Sequence, residues 1–221
     1  MIADVSALAL FCVVGNAMRL NTDFEKELAF YGSYHQDPIN QAIHFVFIPI
    51  IWWSICVWMC YVKPFRVDIN VAGHQISYGT FMLIIYCAYY VTLDRFTGGL
   101  FSLVLCLFYL QASSAVAAEQ KLKSAKGKGK KQTSTPLWKI AFVIHAIAWF
   151  MQIVPGHKYA EGVKPALVDS LGQALGVAPL FAFLEGIWFV GLAPELKTRV
   201  LELVTANRAA MCGADGTYPW C

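Results

Sequence analysis

Apolar residues arrive in long blocks along this chain, separated by short polar stretches. A helix needs about twenty such residues to cross the hydrocarbon core of a bilayer. Four blocks are long enough: about Ala42 to Val62, Ile76 to Leu93, Leu100 to Ala118 and Leu137 to Val154. Pro49 lies inside the first, where a membrane helix kinks rather than breaks. A fifth stretch, Val177 to Leu192, is apolar but carries Pro179, Glu185 and two glycines. It reads as a re-entrant or interfacial helix, or as a distorted fifth span. The predicted fold is all-α, a polytopic helical membrane bundle forming one integral-membrane domain over residues 1–221.

The connections refine this picture. Asp94 to Gly99 has the composition of a tight turn, so the second and third spans should form a helical hairpin. Glu119 to Thr135 reads EQKLKSAKGKGKKQTST, with six lysines and one bulky apolar residue. It reads as a flexible, solvated basic loop, with attraction to anionic headgroups as a second reading. Near the N-terminus, Val5 to Val14 is short for a span and lacks the basic residues that open a signal peptide. It is expected to form a helix lying on, or packed into, the bundle.

Composition excludes the soluble classes. Only 14% of residues are charged and 58% are hydrophobic, whereas a soluble domain is about a quarter charged. The net charge of +3 is small, with lysines gathered in one loop, so no nucleic-acid footprint is present. Cys56, Cys60, Cys87 and Cys106 lie inside apolar runs, where a thiol behaves as a small hydrophobe.

Polar groups inside such runs are costly and point to function. Four of the five histidines form two pairs. His35 precedes the first span in FYGSYHQDPIN, and His44 lies one turn inside it. Pro38 and Asn40 mark that helix's start, with Asn40 as the expected N-cap. His145 is inside the fourth span, and His157 follows its expected end at Pro155-Gly156. In a four-span bundle the start of span one and the end of span four share a side. His35, His44 and His157 can therefore meet near one boundary. His145 is about 13 Å deeper on a regular helix, and joins them if the fourth helix ends early or tilts. Neutral imidazole is the commonest metal ligand and suits iron and zinc. The bland alternative is that these histidines bond to neighbouring helices. His74 reads as a surface residue of the first loop.

Carboxylates near this end are Asp37, Glu161, Asp169 and Glu185. One of them would complete a triad of two histidines and a carboxylate, as in non-haem iron oxygenases, or would orient a ligating imidazole. Glu161 ranks first, because it lies four residues after His157. There is no Walker loop, no Gly-x-Ser-x-Gly elbow and no His-Glu-x-x-His.

Two segments carry a family resemblance. Phe30 to Ser54, with Tyr31, His35, Asn40 and His44, is similar to the first signature of the membrane 2-hydroxy fatty acid dioxygenases. Ala148 to Glu185, with Gly156, His157, Glu161, Pro165, Ala166 and Leu167, is similar to their second. The resemblance spans nearly the whole chain apart from the lysine loop and the first twenty-odd residues. It implies a multi-pass protein of the endoplasmic reticulum membrane. It also implies use of Fe2+ and dioxygen to shorten 2-hydroxy fatty acids by one carbon, releasing carbon dioxide, in phytosphingosine breakdown. The family's essential histidines would fall on His35, His44, His145 and His157.

The chemistry fits a membrane boundary. There a metal can chelate the carboxylate and hydroxyl of such an acid while the alkyl tail stays in the apolar bundle. Lys158 or Lys164 would assist the carboxylate, and Tyr31 and Tyr34 stand near His35. Two other readings compete. Membrane hydroxylases and desaturases use larger histidine clusters than this chain offers. A non-enzymatic lipid-binding or scaffold protein would use its histidines for packing alone. Orientation is drawn two ways. The positive-inside rule sends the lysine loop to the cytoplasm, while a ferrous centre at the opposite end suits the reducing cytosolic face.

Overall fold

The computed structural model describes residues 23–64, 69–71, 73–125 and 135–212. The expected N-terminal helix at Val5 to Val14 lies outside them. The described chain is almost wholly helical. Its elements are α1 (Phe24–Gly32), α2 (Pro38–Tyr61), a small hairpin of β1 (Asn70–Val71) and β2 (His74–Gln75), α3 (Tyr78–Leu93), α4 (Arg95–Ala125) and α5 (Leu137–Met151). Helix α5 runs on without a break as a π-helix, Gln152–Glu161, followed by α6 (Ala166–Asp169), α7 (Leu171–Phe189) and α8 (Pro194–Cys212).

Four helical stretches are long and apolar enough to cross a membrane: Pro38–Tyr61, Arg95–Ala125, Leu137–Glu161 and Leu171–Phe189. The outer faces of these helices expose large apolar side chains such as Phe142, Leu103 and Ile147. Lipid covers such faces at no cost, whereas water would not. The stretch read as re-entrant, interfacial or distorted is therefore a 19-residue helix that qualifies by length and composition. The second predicted span is the short one, a helix of 16 residues.

Helix α2 is the hub, packing against α3, α4, α5, the π segment and α7. Its start differs from expectation by one turn. Asp37 is the N-cap, accepting from the backbone N–H of Ile39 at 2.8 Å and of Asn40 at 3.1 Å. Pro38 takes the first helical position, where a missing N–H costs nothing. Asn40 is freed for another task described below. The predicted hairpin of α3 and α4 is present, but its turn is the single residue Asp94, whose carboxylate accepts from the N–H and hydroxyl of Thr97 at 2.6 Å. Residues Arg95 to Gly99 are already helical. Gly98 permits this closeness, because a Cβ there would sit 2.0 Å from the Tyr90 carbonyl oxygen.

Two further expectations change. Helix α4 continues to Ala125, so the first part of the lysine stretch is helical. Its carboxylate Glu119 binds Lys123 at 3.1 Å and accepts from the Tyr61 hydroxyl. Residues 126–134 lie outside the described part. His74 is half-buried, not a surface residue, and pairs with the Ser113 hydroxyl of α4 at 3.2 Å.

Candidate metal centre

Three segments converge beside the start of α2. The turn after α1 delivers His35, the second turn of α2 delivers His44, and the π segment delivers His157. All three are buried, at 1%, 2% and 3% exposure. The ring centroids are 4.4 Å apart for His35 and His44, 4.8 Å for His35 and His157, and 5.0 Å for His44 and His157. One ring nitrogen from each lies within 4.8 Å of the others.

The hydrogen bonds fix which nitrogen that is. His35 Nδ1 meets the Tyr31 carbonyl at 2.8 Å, His44 Nδ1 the Asn40 carbonyl at 2.9 Å, and His157 Nδ1 the Val163 carbonyl at 3.2 Å. A carbonyl oxygen only accepts, so each Nδ1 must carry the proton. In a neutral ring each Nε2 then keeps its lone pair. Burial first, and then His44 and His157 beside it, push the His35 pKa well below its ordinary value. His35 therefore remains neutral. Its Nε2 is buried with no hydrogen-bond partner, a costly state unless something binds there. Three lone pairs with their second nitrogens anchored on backbone are what a metal-binding histidine set requires. The donor set fits a divalent transition metal such as iron or zinc.

The sequence drew Glu161 as a ligand, and its position differs. Its carboxylate is absent from the converging group. It accepts from the backbone N–H of Gln36 at 2.9 Å and of Asp37 at 2.8 Å, from Asn40 Nδ2 at 3.1 Å, and from Arg208 Nη1 at 3.0 Å. Both oxygens are spent on the N-terminal end of α2, where the helix dipole favours an anion. Glu161 thus ties together the segments carrying all three histidines. Asn40 completes the tie from inside α2. A Cβ at Gly156 would lie 2.5 Å from Asn40 Oδ1, so a side chain there would displace the Asn40 amide where the π segment crosses α2.

The other carboxylates are also placed elsewhere. Asp37 caps α2. Asp169 accepts from the Tyr34 hydroxyl at 2.6 Å and from Lys164 at 2.7 Å. Both oxygens of Glu185 are buried without partners, and it too stands outside the group. The cluster is therefore three histidines, not two and a carboxylate. Lys164 is engaged by Asp169, and Lys158 lies over the Tyr159 ring at 5.5 Å. Tyr31 stacks on His35 with centroids 4.1 Å apart.

His145 is not brought to the other three. Its Nδ1 meets Ser54 Oγ at 2.7 Å, and its Nε2 accepts from the Trp149 indole at 2.9 Å. Ser54 is ten positions below His44 on α2, so about 15 Å away along the axis. The expected end of the fourth helix at Pro155-Gly156 does not occur. The chain continues past Pro155 as a π-helix, a form that recurs at functional sites.

Below the histidines lies a cavity of about 80 Å³. His35, His44 and His157 line it, and Ile48, Trp52 and Ile55 continue its wall down α2. Its far wall includes Tyr86 from α3 and Trp149 from α5. The cavity is smaller than a typical small-molecule site, and its walls are mostly aliphatic and aromatic. Sequence reasoning missed three participants. Arg208 lies far along the chain in a polar helix. Asn40 was read as a cap. Gln152 is a lone amide inside an apolar run, and that isolation was the available signal.

Residues 21–187 match a family described as 2-hydroxy-palmitic acid dioxygenase Mpo1-like. The 2-hydroxy-palmitic acid dioxygenase MPO1 of Saccharomyces cerevisiae is 29% identical over 188 residues, covering 84% of this chain and 93% of the yeast protein. No solved structure matches.

Proposed function

Because this chain belongs to the Mpo1-like family, we propose that it is an Fe2+-dependent dioxygenase that α-oxidises long-chain 2-hydroxy fatty acids. The reaction takes one 2-hydroxy acid and one dioxygen to the fatty acid one carbon shorter, carbon dioxide and water. The bond between carbons one and two breaks, both carbons are oxidised, and dioxygen takes up the four electrons. The setting is the endoplasmic reticulum membrane, where breakdown of phytosphingosine yields such acids.

One observation carries the reading: three histidines with free Nε2 lone pairs converge at one end of a largely apolar cavity within a membrane bundle. His35, His44 and His157 would hold the metal. Bound ferrous iron would supply the activation of dioxygen. The protein does the rest by placement. Backbone carbonyls at Tyr31, Asn40 and Val163 hold each imidazole in one tautomer and orientation. Burial of the three rings limits water at the reacting carbons. The apolar walls from Ile48 to Ile55 receive the alkyl tail, so the polar head is left at the histidines. His145, through Trp149, supports the wall of that tail cavity.

The test is metal analysis of the detergent-purified chain, together with an assay on 2-hydroxypalmitate started by admitting oxygen to an anaerobic sample. Iron near one per chain and oxygen-dependent formation of the acid one carbon shorter are expected. A protein that binds no iron and gives no turnover after ferrous iron is added would be a lipid-binding or scaffold protein instead.

A further inference from the structure

Gln152 opens the π segment and shares the cavity wall with His44 and His157. The residue is 5% exposed, and its Nε2 has no hydrogen-bond partner. A buried amide N–H without an acceptor is destabilising. One retained at a cavity wall points to a ligand oxygen that completes it.

The π geometry puts this amide where a ligand would be. On a regular α-helix, residues five apart are turned by about 140° relative to one another. Gln152 and His157 would then face different neighbours. A π-helix closes its hydrogen bonds between residues five apart, which brings Gln152 and His157 onto the same side of the segment. Both are buried and both line the cavity. Gln152 also lies on the side toward Trp149, the direction in which the cavity becomes apolar. Of the other polar wall groups, the Trp52 indole N–H is also buried without a partner, one turn further toward the apolar end than Ile48, while others are engaged. The Trp149 indole donates to His145, and each histidine Nδ1 donates to a carbonyl.

Resting on the dioxygenase reading above, we propose that Gln152 is a specificity residue whose amide N–H donates to the hydroxyl oxygen on carbon two of the substrate. The acid's head lies at the histidines and its tail runs toward Trp149. The next oxygen along the chain then falls beside Gln152. A site that hydrogen-bonds a substrate hydroxyl rejects the analogue lacking it, because its own polar group is left unpaired. Plain fatty acids, abundant in any membrane, would be excluded in this way.

The experiment uses the full chain loaded with ferrous iron and kept anaerobic, so that nothing turns over. Binding of 2-hydroxypalmitate and of palmitate is followed by quenching of tryptophan fluorescence, since Trp52 and Trp149 line the cavity. Gln152→Met removes the donor at similar volume, and Gln152→Asn keeps it but withdraws it by one methylene. Gln152→Met should weaken 2-hydroxypalmitate roughly tenfold to a hundredfold, the range for losing such a bond. Palmitate affinity and iron content should stay unchanged, and Gln152→Asn should fall between. Equal weakening of both acids, or of neither, would overturn the assignment. So would loss of iron or of fold in both variants, which would make the residue structural. Admitting oxygen to the wild-type sample then separates the two ideas. Absence of turnover there would retire the dioxygenase reading, while the binding comparison still decides what Gln152 recognises.

Discussion

Glu161 accepts a hydrogen bond from Asn40 at 3.1 Å, joining the end of the π segment to the first turn of α2. The same carboxylate holds the backbone of Gln36 and Asp37 and the Arg208 side chain. It touches none of the three imidazoles, yet every segment that carries one is fastened to it. Removing its charge should loosen the metal without unfolding the bundle. Glu161→Gln is expected to lower iron affinity about 10–100-fold, the usual effect of losing a group that orients ligands. Competition against a graded chelator series reads this directly, and unchanged affinity would show that the clamp is dispensable.

His44 should be indispensable. His44→Ala removes one of three lone pairs from the cluster while leaving α2 intact. Turnover is expected to fall below detection, iron to be lost, and the helical circular dichroism to stay unchanged. Retained activity would remove His44 from the site.

His145 should behave differently from the other three. Both its nitrogens are engaged, by Ser54 and by Trp149. His145→Ala is expected to keep its iron and to shift the tryptophan emission as the Trp149 indole loses its acceptor. Its activity should drop through a raised KM for long acids. Loss of iron in this variant would instead place His145 among the metal ligands.

The floor of the cavity should measure the tail. From His44 to Ile55 the wall descends eleven positions, about 16 Å of helix. An extended chain advances about 1.2 Å per bond, so a tail lying along this wall would run beside it for roughly 14 bonds. Ile55→Trp should fill the lower end and move the preference in kcat/KM toward shorter acids across a homologous series. An unaltered profile would mean that tails leave the cavity for the lipid before reaching Ile55.

The close approach of α3 and α4 gives a purely structural prediction. A methyl group at position 98 would meet backbone atoms of Tyr90 and Val91, which cannot turn aside as a side chain can. Gly98→Ala should therefore destabilise the bundle by about 3 kcal/mol, seen as a lower thermal midpoint in detergent. A wild-type midpoint would show that the hairpin has room to spread.

The helical bundle and the three histidines were legible for one reason: apolar runs and intramembrane imidazoles are both rare in ordinary chains. What escaped depended on partners distant in sequence. Pro155 and Gly156 read as a helix stop, because a proline lacks an N–H and glycine favours ends. The chain continues there because a looser ladder accommodates both, and Gly156 leaves room for the Asn40 side chain. Asn40 read as a cap because Asp37, three residues earlier, can do the same job, and only the fold reveals which one does. Glu161 followed His157 at one α-helical turn, so it ranked first among the carboxylates as a ligand or as an orienting partner. The carboxylate turns to the end of α2 instead, where the Gln36 and Asp37 N–H groups, Asn40 and Arg208 occupy it. Arg208 could not have been found, since nothing in a polar helix marks one arginine for a carboxylate 47 residues away.

The brevity of α3 bears on which membrane hosts this protein. Sixteen residues cover about 24 Å, several ångströms less than an average hydrocarbon core. A helix too short for its surroundings is accommodated by local thinning of the lipid, at a cost that grows with each ångström of mismatch. That cost is smaller in the thin bilayers of the early secretory pathway than in a sterol-rich plasma membrane. A helix of this length is thus better matched in thickness to a thin bilayer than to a thick one.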